Sequence, residues 1–122
     1  MILNFDFESP TPLYLQLRNQ VVNAIAASEL KPGGHLPSVR ALSDESGINT
    51  MTVSKAYQLL KQEGYIDTDR RRGTIVREPE EERQIKPETM ASLRLCISEL
   101  KLAGLKNEEI TELCEKLCRE EK

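Results

Sequence analysis

The segment from Leu36 to Val76, LPSVRALSDESGINTMTVSKAYQLLKQEGYIDTDRRRGTIV, constrains the fold more than any other part of the chain. Helix caps and helix stops alternate through it at short intervals. Ser38 is placed to cap a short helix whose inner face carries Val39 and Leu42. Gly47 ends that helix by supplying the left-handed backbone that residues with a Cβ avoid. Ile48 plugs the turn and Asn49 caps the next helix, which turns Val53, Ala56, Tyr57 and Leu60 inward. Thr50, Met51, Thr52, Ser54 and Lys55 then face solvent, and Gly64 stops the helix. Tyr65 to Thr68 and Gly73 to Val76 alternate weakly as two strands, around an Asp69 to Arg72 tip with three arginines. Two helices, a tight turn and a basic hairpin in this order predict a winged helix-turn-helix.

Upstream, Thr11 followed by Pro12 reads as a hydroxyl cap and a proline at the first helical position. Leu13, Leu17, Val21 and Ile25, widened by Tyr14 and Ala24, form an apolar stripe to about Ser28. Lys31-Pro32-Gly33-Gly34 then forms a turn. Ile2, Leu3, Phe5 and Phe7 are apolar for a chain end, which predicts packing on the domain or on a partner subunit.

Downstream, Arg77 to Pro87 (REPEEERQIKP) is charged and proline-bounded, as a linker would be. Glu88 to Ala103 presents Met90, Leu93, Ile97 and Leu100 on one helix side, and Gly104 stops it. Asn107 is placed to cap a last helix, with Glu108 and Glu109 in its first turn and Ile110, Leu113, Cys114 and Leu117 as its stripe. Helices of about four and three turns cannot bury such faces alone. They must pack on the winged helix or on the same pair from a second subunit. The expected class is therefore mainly α (α+β). A winged helix-turn-helix spans 1–77, a linker 78–87, and a two-helix dimerisation region 88–122.

The overall charge of −3 argues at first against a nucleic-acid partner. Its distribution reverses that argument. Residues 1–77 hold nine Lys and Arg against eight Asp and Glu, net +1, whereas residues 78–122 hold eight against twelve, net −4. The acidity lies in the C-terminal third, and salt confines its reach to about 8–10 Å. No apolar run approaches the roughly 20 residues of a membrane span. Met1 to Phe7 is too short and lacks the basic start of a signal peptide, and three cysteines do not make a disulfide framework. A soluble, cytoplasmic protein with no membrane partner is expected.

The first turn of the helix after Asn49 combines unpaired backbone N–H groups with a partial positive charge, and both attract phosphate. Asn49, Thr50, Thr52 and Ser54 are small enough to reach base edges or phosphates. Lys55 adds a point charge, and Arg40 is long enough for guanine edges or the backbone. Arg70, Arg71 and Arg72 suit the adjacent backbone or a narrow minor groove. This arrangement predicts binding to double-stranded operator DNA.

Several short motifs together resemble the GntR superfamily of bacterial transcription regulators. They are Leu36-Pro37-Ser38 with Arg40 and Leu42, Gly47-Ile48-Asn49, Thr52-Val53, Lys55-Ala56-Tyr57, Leu60, Glu63-Gly64 and Arg72-Gly73-Thr74. The resemblance runs from about Pro12 to Val76, and the short two-helix remainder is similar to the YtrA-type branch. It implies a homodimer built chiefly by the C-terminal helices, with regulated operons that often encode ABC transporters. It also implies DNA contacts from Arg40, from Asn49, Thr50, Met51 and Thr52, and from Ser54 and Lys55, with Gly73 letting the wing backbone approach the minor groove. Adding Ser38 and the three tip arginines completes the candidate DNA-binding set. Many relatives carry an arginine near the start of this helix, where this chain has Thr50 or Ser54. Met51 is apolar and suited to a thymine methyl, so no operator bases are predicted. The expected partners are operator DNA and a second copy of the chain, meeting through Met90, Leu93, Ile97, Leu100, Ile110, Leu113 and Leu117.

An enzyme is not expected, because the single His35 sits in a turn without a carboxylate pair or nucleophile motif. No cofactor is expected either. Two other readings stay open. Cys114 and Cys118 share a helix face, with Cys96 in the neighbouring helix, which would suit a redox-responsive or soft-metal-responsive regulator. A winged helix can also serve protein association alone. No effector is assigned, since two short helices are too small to enclose a ligand pocket of about 300 Å³.

Overall fold

A computed structural model describes residues 3–78 and 84–120 of the 122-residue chain. The chain divides into two compact units, Met1–Pro79 and Glu80–Lys122.

The first unit is built on helix α1 (Leu13–Ala26), whose Leu17, Val21 and Ala24 are buried at the spacing of one helix face. Its start differs from expectation. Pro12 is itself the N-cap and no side chain caps the helix. Thr11 instead offers its carbonyl to Gln16 Nε2 at 2.8 Å. The helix also ends at Ala26 rather than near Ser28, because Ser28 takes left-handed backbone with φ +62°.

Two glutamines bind the chain before α1 onto it. Gln20 accepts the Asn4 N–H at 2.9 Å and donates to the Asn4 carbonyl at 2.6 Å. Gln16, one turn earlier, exchanges the same pair with Asp6, both at 2.9 Å. Two primary amides four residues apart thus act as a neighbouring strand would, satisfying alternate backbone groups. Leu3 and Phe5 pack half-buried on the core, as the apolar chain start suggested. Phe7 does not: it is 74% exposed. Ile2 lies outside the described residues.

Three antiparallel strands complete the unit. β1 (His35–Leu36) lies on one side of β3 (Gly73–Val76), and β2 (Ile66–Asp69) lies on the other. The hairpin pairs Ile66 with Val76 and Asp69 with Gly73, while His35 and Leu36 pair with Ile75 and Thr74. Gly33 and Gly34 extend this second pairing, the Gly33 N–H to the Val76 carbonyl and the Val76 N–H to the Gly34 carbonyl, both at 2.8 Å. His35 is therefore a strand residue and not part of a turn. Two residues carry no periodicity of their own, and their pairing partner lies far along the chain.

Helix α2 (Val39–Ser46) and helix α3 (Thr50–Gln62) follow the local signals closely. Ser38 Oγ accepts the Ala41 N–H at 3.1 Å. Gly47 closes α2 with φ +75°. The Ser43 hydroxyl donates to the Ile48 carbonyl across the turn, and Ile48 is buried. Asn49 Oδ1 accepts the Met51 N–H at 2.6 Å and caps α3. Leu17 and Val21 of α1, Leu42 of α2, Val53 and Leu60 of α3 and Ile66 of β2 meet in one aliphatic core. Each such side chain contributes about 1.5–3 kcal/mol of transfer free energy.

The second unit holds helix α4 (Pro87–Leu102) and helix α5 (Asn107–Cys118). Pro87 belongs to α4 rather than to the linker, since a proline is tolerated in the first turn. Residues 79–83 of the expected linker lie outside the described residues. Asn107 is the first residue of α5 rather than its cap. Lys106 holds the cap position, and its N–H is accepted by Glu109 Oε1 at 2.9 Å. Ile110 is buried, while Ile97, Leu100 and Leu113 are half-buried. Met90, Leu93 and Leu117 are 41%, 50% and 57% exposed. Among the described residues no helix is long and apolar enough to cross a membrane.

Candidate nucleic-acid interface

The orientation of α3 follows from its inner face. Burial of Val53, Ala56, Tyr57 and Leu60 turns the opposite face outward. Asn49, Thr50 and Met51 are exposed, Met51 by 78%. Thr52 and Ser54 are half-buried and Lys55 is exposed. The amino end of α3 is thus open to solvent, with its capping oxygen engaged.

Arg40, the second residue of α2, is exposed. Ser38 is exposed too, although its hydroxyl oxygen already serves as a cap. Both are placed by a contact not legible in the sequence. The Tyr57 hydroxyl donates to the Pro37 carbonyl at 2.8 Å. Burial, with Glu45 nearby, pushes the Tyr57 phenol up to about 12, so its donating proton is held more tightly than in a free phenol.

At the hairpin tip, Asp69 organises the arginines. Its Oδ1 accepts the Arg71 N–H at 2.7 Å and its Oδ2 meets Arg72 Nε at 3.3 Å. These contacts, the Arg71 N–H foremost, hold its carboxyl below the usual carboxylate range. Arg72 is therefore partly neutralised. The guanidinium groups of Arg70 and Arg71 make no ion pair among the described residues. Gly73 has φ +76° and open space where a Cβ would stand, so it admits the return strand and leaves the backbone uncovered.

Two further contacts on this unit escaped sequence reasoning. Arg18 of α1 grips Glu63 at the end of α3, Nε to Oε1 at 2.8 Å and Nη2 to Oε2 at 2.9 Å. Lys55 Nζ stands 4.1 Å from the centroid of the Tyr14 ring. Spacing along one helix signals neither pairing. In the second unit, Cys96, Cys114 and Cys118 are exposed. Among the described residues, no group of three or more His, Cys, Asp or Glu could hold a metal ion.

Residues 13–76, just over half of the chain, match the family described as bacterial regulatory proteins, gntR family. The chain belongs to the GntR family. The uncharacterized HTH-type transcriptional regulator YhcF of Bacillus subtilis (strain 168) is 32% identical to this GntR protein over 108 residues, spanning 87% of this chain and 89% of YhcF. The HTH-type transcriptional repressor YtrA of the same organism is 43% identical over 77 residues, spanning 63% of this chain and 59% of YtrA. Among solved structures, a transcriptional antiterminator from Listeria monocytogenes EGD-e superposes with a TM-score of 0.81 at 26% identity, over 98% of this chain and 91% of that one. This GntR protein is thus a DNA-binding transcriptional regulator of YtrA type, with a winged helix and no enzymatic role.

Proposed function

We propose that this GntR protein is a repressor that binds a palindromic operator as a homodimer. Each subunit lays the amino-terminal half of α3 in a major groove and rests its wing on the neighbouring backbone. The observation that carries this reading is the open amino end of α3, where Asn49, Thr50 and Met51 are exposed above a fully buried inner face. Thr50, Met51, Thr52 and Ser54 read base edges. Ser38, Arg40, Lys55, Arg70, Arg71 and Arg72 take phosphates, and Gly73 lets the wing approach. The exposure of Met90, Leu93 and Leu117 supports a second copy covering the helices of the second unit, because large apolar faces in water invite association. Repression is carried over from YtrA, and the short-branch resemblance adds an ABC-transporter operon as the regulated target.

Duplexes selected by the purified protein from a random pool test this reading. The expected consensus is an inverted repeat with half-sites about 34 Å apart or a multiple of it, bound with a dissociation constant on the order of 10 nM or tighter. Selection of no duplex at modest salt would remove the reading, and so would a monomeric parent protein in sedimentation.

A further inference from the structure

The positive side chains of the first unit are held in different ways. Arg18 is gripped by Glu63, and Arg72 is drawn to Asp69. Lys55 has no carboxylate partner among the described residues. Its ammonium stands 4.1 Å from the centroid of the Tyr14 ring, well inside the distance at which a ring face attracts a cation. The difference matters for phosphate binding. A carboxylate cancels the charge it holds, whereas a ring quadrupole orients an ammonium and leaves its full charge on offer.

Tyr14 is suited to that task because it is itself anchored. It is the second residue of α1, a helix fixed by its buried Leu17 and Val21, and packs half-buried against the core. A lysine has a long flexible stem, and ordering it at the moment of binding weakens the contact that it makes. A stem already drawn over a fixed ring has surrendered part of that freedom before DNA arrives.

We propose that Tyr14 is a positioning residue for DNA binding, whose ring presents the unpaired Lys55 ammonium to a backbone phosphate beside α3. The inference rests on the reading of α3 as the helix that faces DNA. The hydroxyl of Tyr14 is not required, and the ring face is.

The test uses the full chain as Tyr14→Phe, Tyr14→Leu, Lys55→Ala and the Tyr14→Leu/Lys55→Ala double variant. The probe is a random-sequence duplex of about 30 base pairs at low salt, since phosphate binding does not depend on sequence. Lys55→Ala lowers affinity and reduces the salt slope by about 0.9 for each phosphate no longer neutralised. Tyr14→Leu lowers affinity about two- to fivefold with the slope intact, because the charge remains. Tyr14→Phe binds as the parent does, and the double variant is no weaker than Lys55→Ala alone. If Tyr14→Leu fails to fold, phenylalanine and its fluorinated analogues at position 14 keep the ring's shape while weakening its face. Affinity then falls with each fluorine only while Lys55 is present. The proposal is overturned if Tyr14→Leu weakens binding equally without Lys55, if Tyr14→Phe is as weak as Tyr14→Leu, or if Lys55→Ala binds like the parent. A parent protein that retains no duplex removes the DNA-facing reading of α3 itself.

Discussion

The Tyr57 hydroxyl reaches back from the middle of α3 to the Pro37 carbonyl, 2.8 Å away, at the residue before the cap of α2. One hydrogen bond thereby ties the helix proposed to read bases to the short helix that carries Arg40. Tyr57→Phe keeps the packing volume and removes the donor, leaving a partly buried carbonyl unsatisfied. We expect a loss of about 1 kcal/mol, seen as a fall in melting temperature of roughly 4–8 °C. An unchanged melting temperature would show that water replaces the bond at no cost.

The same phenol sets an alkaline limit. Its proton is held more tightly in the folded protein, where the pKa is about 12, than in the unfolded chain, where it is 10.0. The stability that the neutral phenol contributes is therefore fully present below pH 10 and is lost as pH rises from 10 through 12. Urea titrations of the parent and Tyr57→Phe across this window separate the effect from other alkaline groups. Parallel declines in the two proteins would exclude it.

Arg18 and Glu63 are 23% and 22% exposed and meet through two parallel bonds. Such fork geometry lifts a pair above the median surface salt bridge. Arg18→Met and Glu63→Gln are each expected to destabilise by about 1 kcal/mol, with a double variant no worse than either single one. Simple additivity in denaturant unfolding would mean that the pair stabilises nothing.

The tip arginines are not equivalent. Among the described residues Arg70 and Arg71 make no ion pair, while Arg72 leans on Asp69. Alanine at position 70 or 71 should lower affinity for any duplex and reduce the salt slope by about 0.9 for each phosphate released. Arg72→Ala should do less, since Asp69 already cancels part of the charge that Arg72 would offer to phosphate. Equal slopes for the parent and all three variants would place the wing away from DNA.

Leu93 and Leu117 are half or more exposed in the single chain. Leu93→Glu or Leu117→Glu should yield a monomer with a folded first unit and poor operator affinity, because two half-sites no longer bind together. Sedimentation and circular dichroism check the two halves of this statement. A variant that stays dimeric would move the interface elsewhere.

Much of the first unit was legible in the chain because its signals are local. Ser38, Gly47 and Asn49 act on groups within four residues, and the inward face of α3 follows from a period that any helix imposes. The hairpin around a short tip was legible as well, although β2 runs Ile66–Asp69 rather than Tyr65 to Thr68, and Thr74, Ile75 and Val76 are all buried instead of alternating. Where local signals competed, the outcome was less legible. Thr11 and Asn107 both look like caps, yet Pro12 and Lys106 hold the cap positions of α1 and α5, while the Thr11 carbonyl accepts from Gln16 Nε2 and Asn107 is already the first helical residue.

Caps, periodicity and the order of elements were thus written in the residues themselves, and they suffice for a winged helix followed by two amphipathic helices. Tertiary structure alone decided that His35 and Leu36 form a strand on β3, and that Gln16 and Gln20 hold the chain start. It alone brought Tyr57 to Pro37, Arg18 to Glu63 and Lys55 to Tyr14. The physical reason is the same in each case. These partners lie in separate parts of the chain, and their meeting depends on how the shared aliphatic core sets α1, α3 and the sheet against one another.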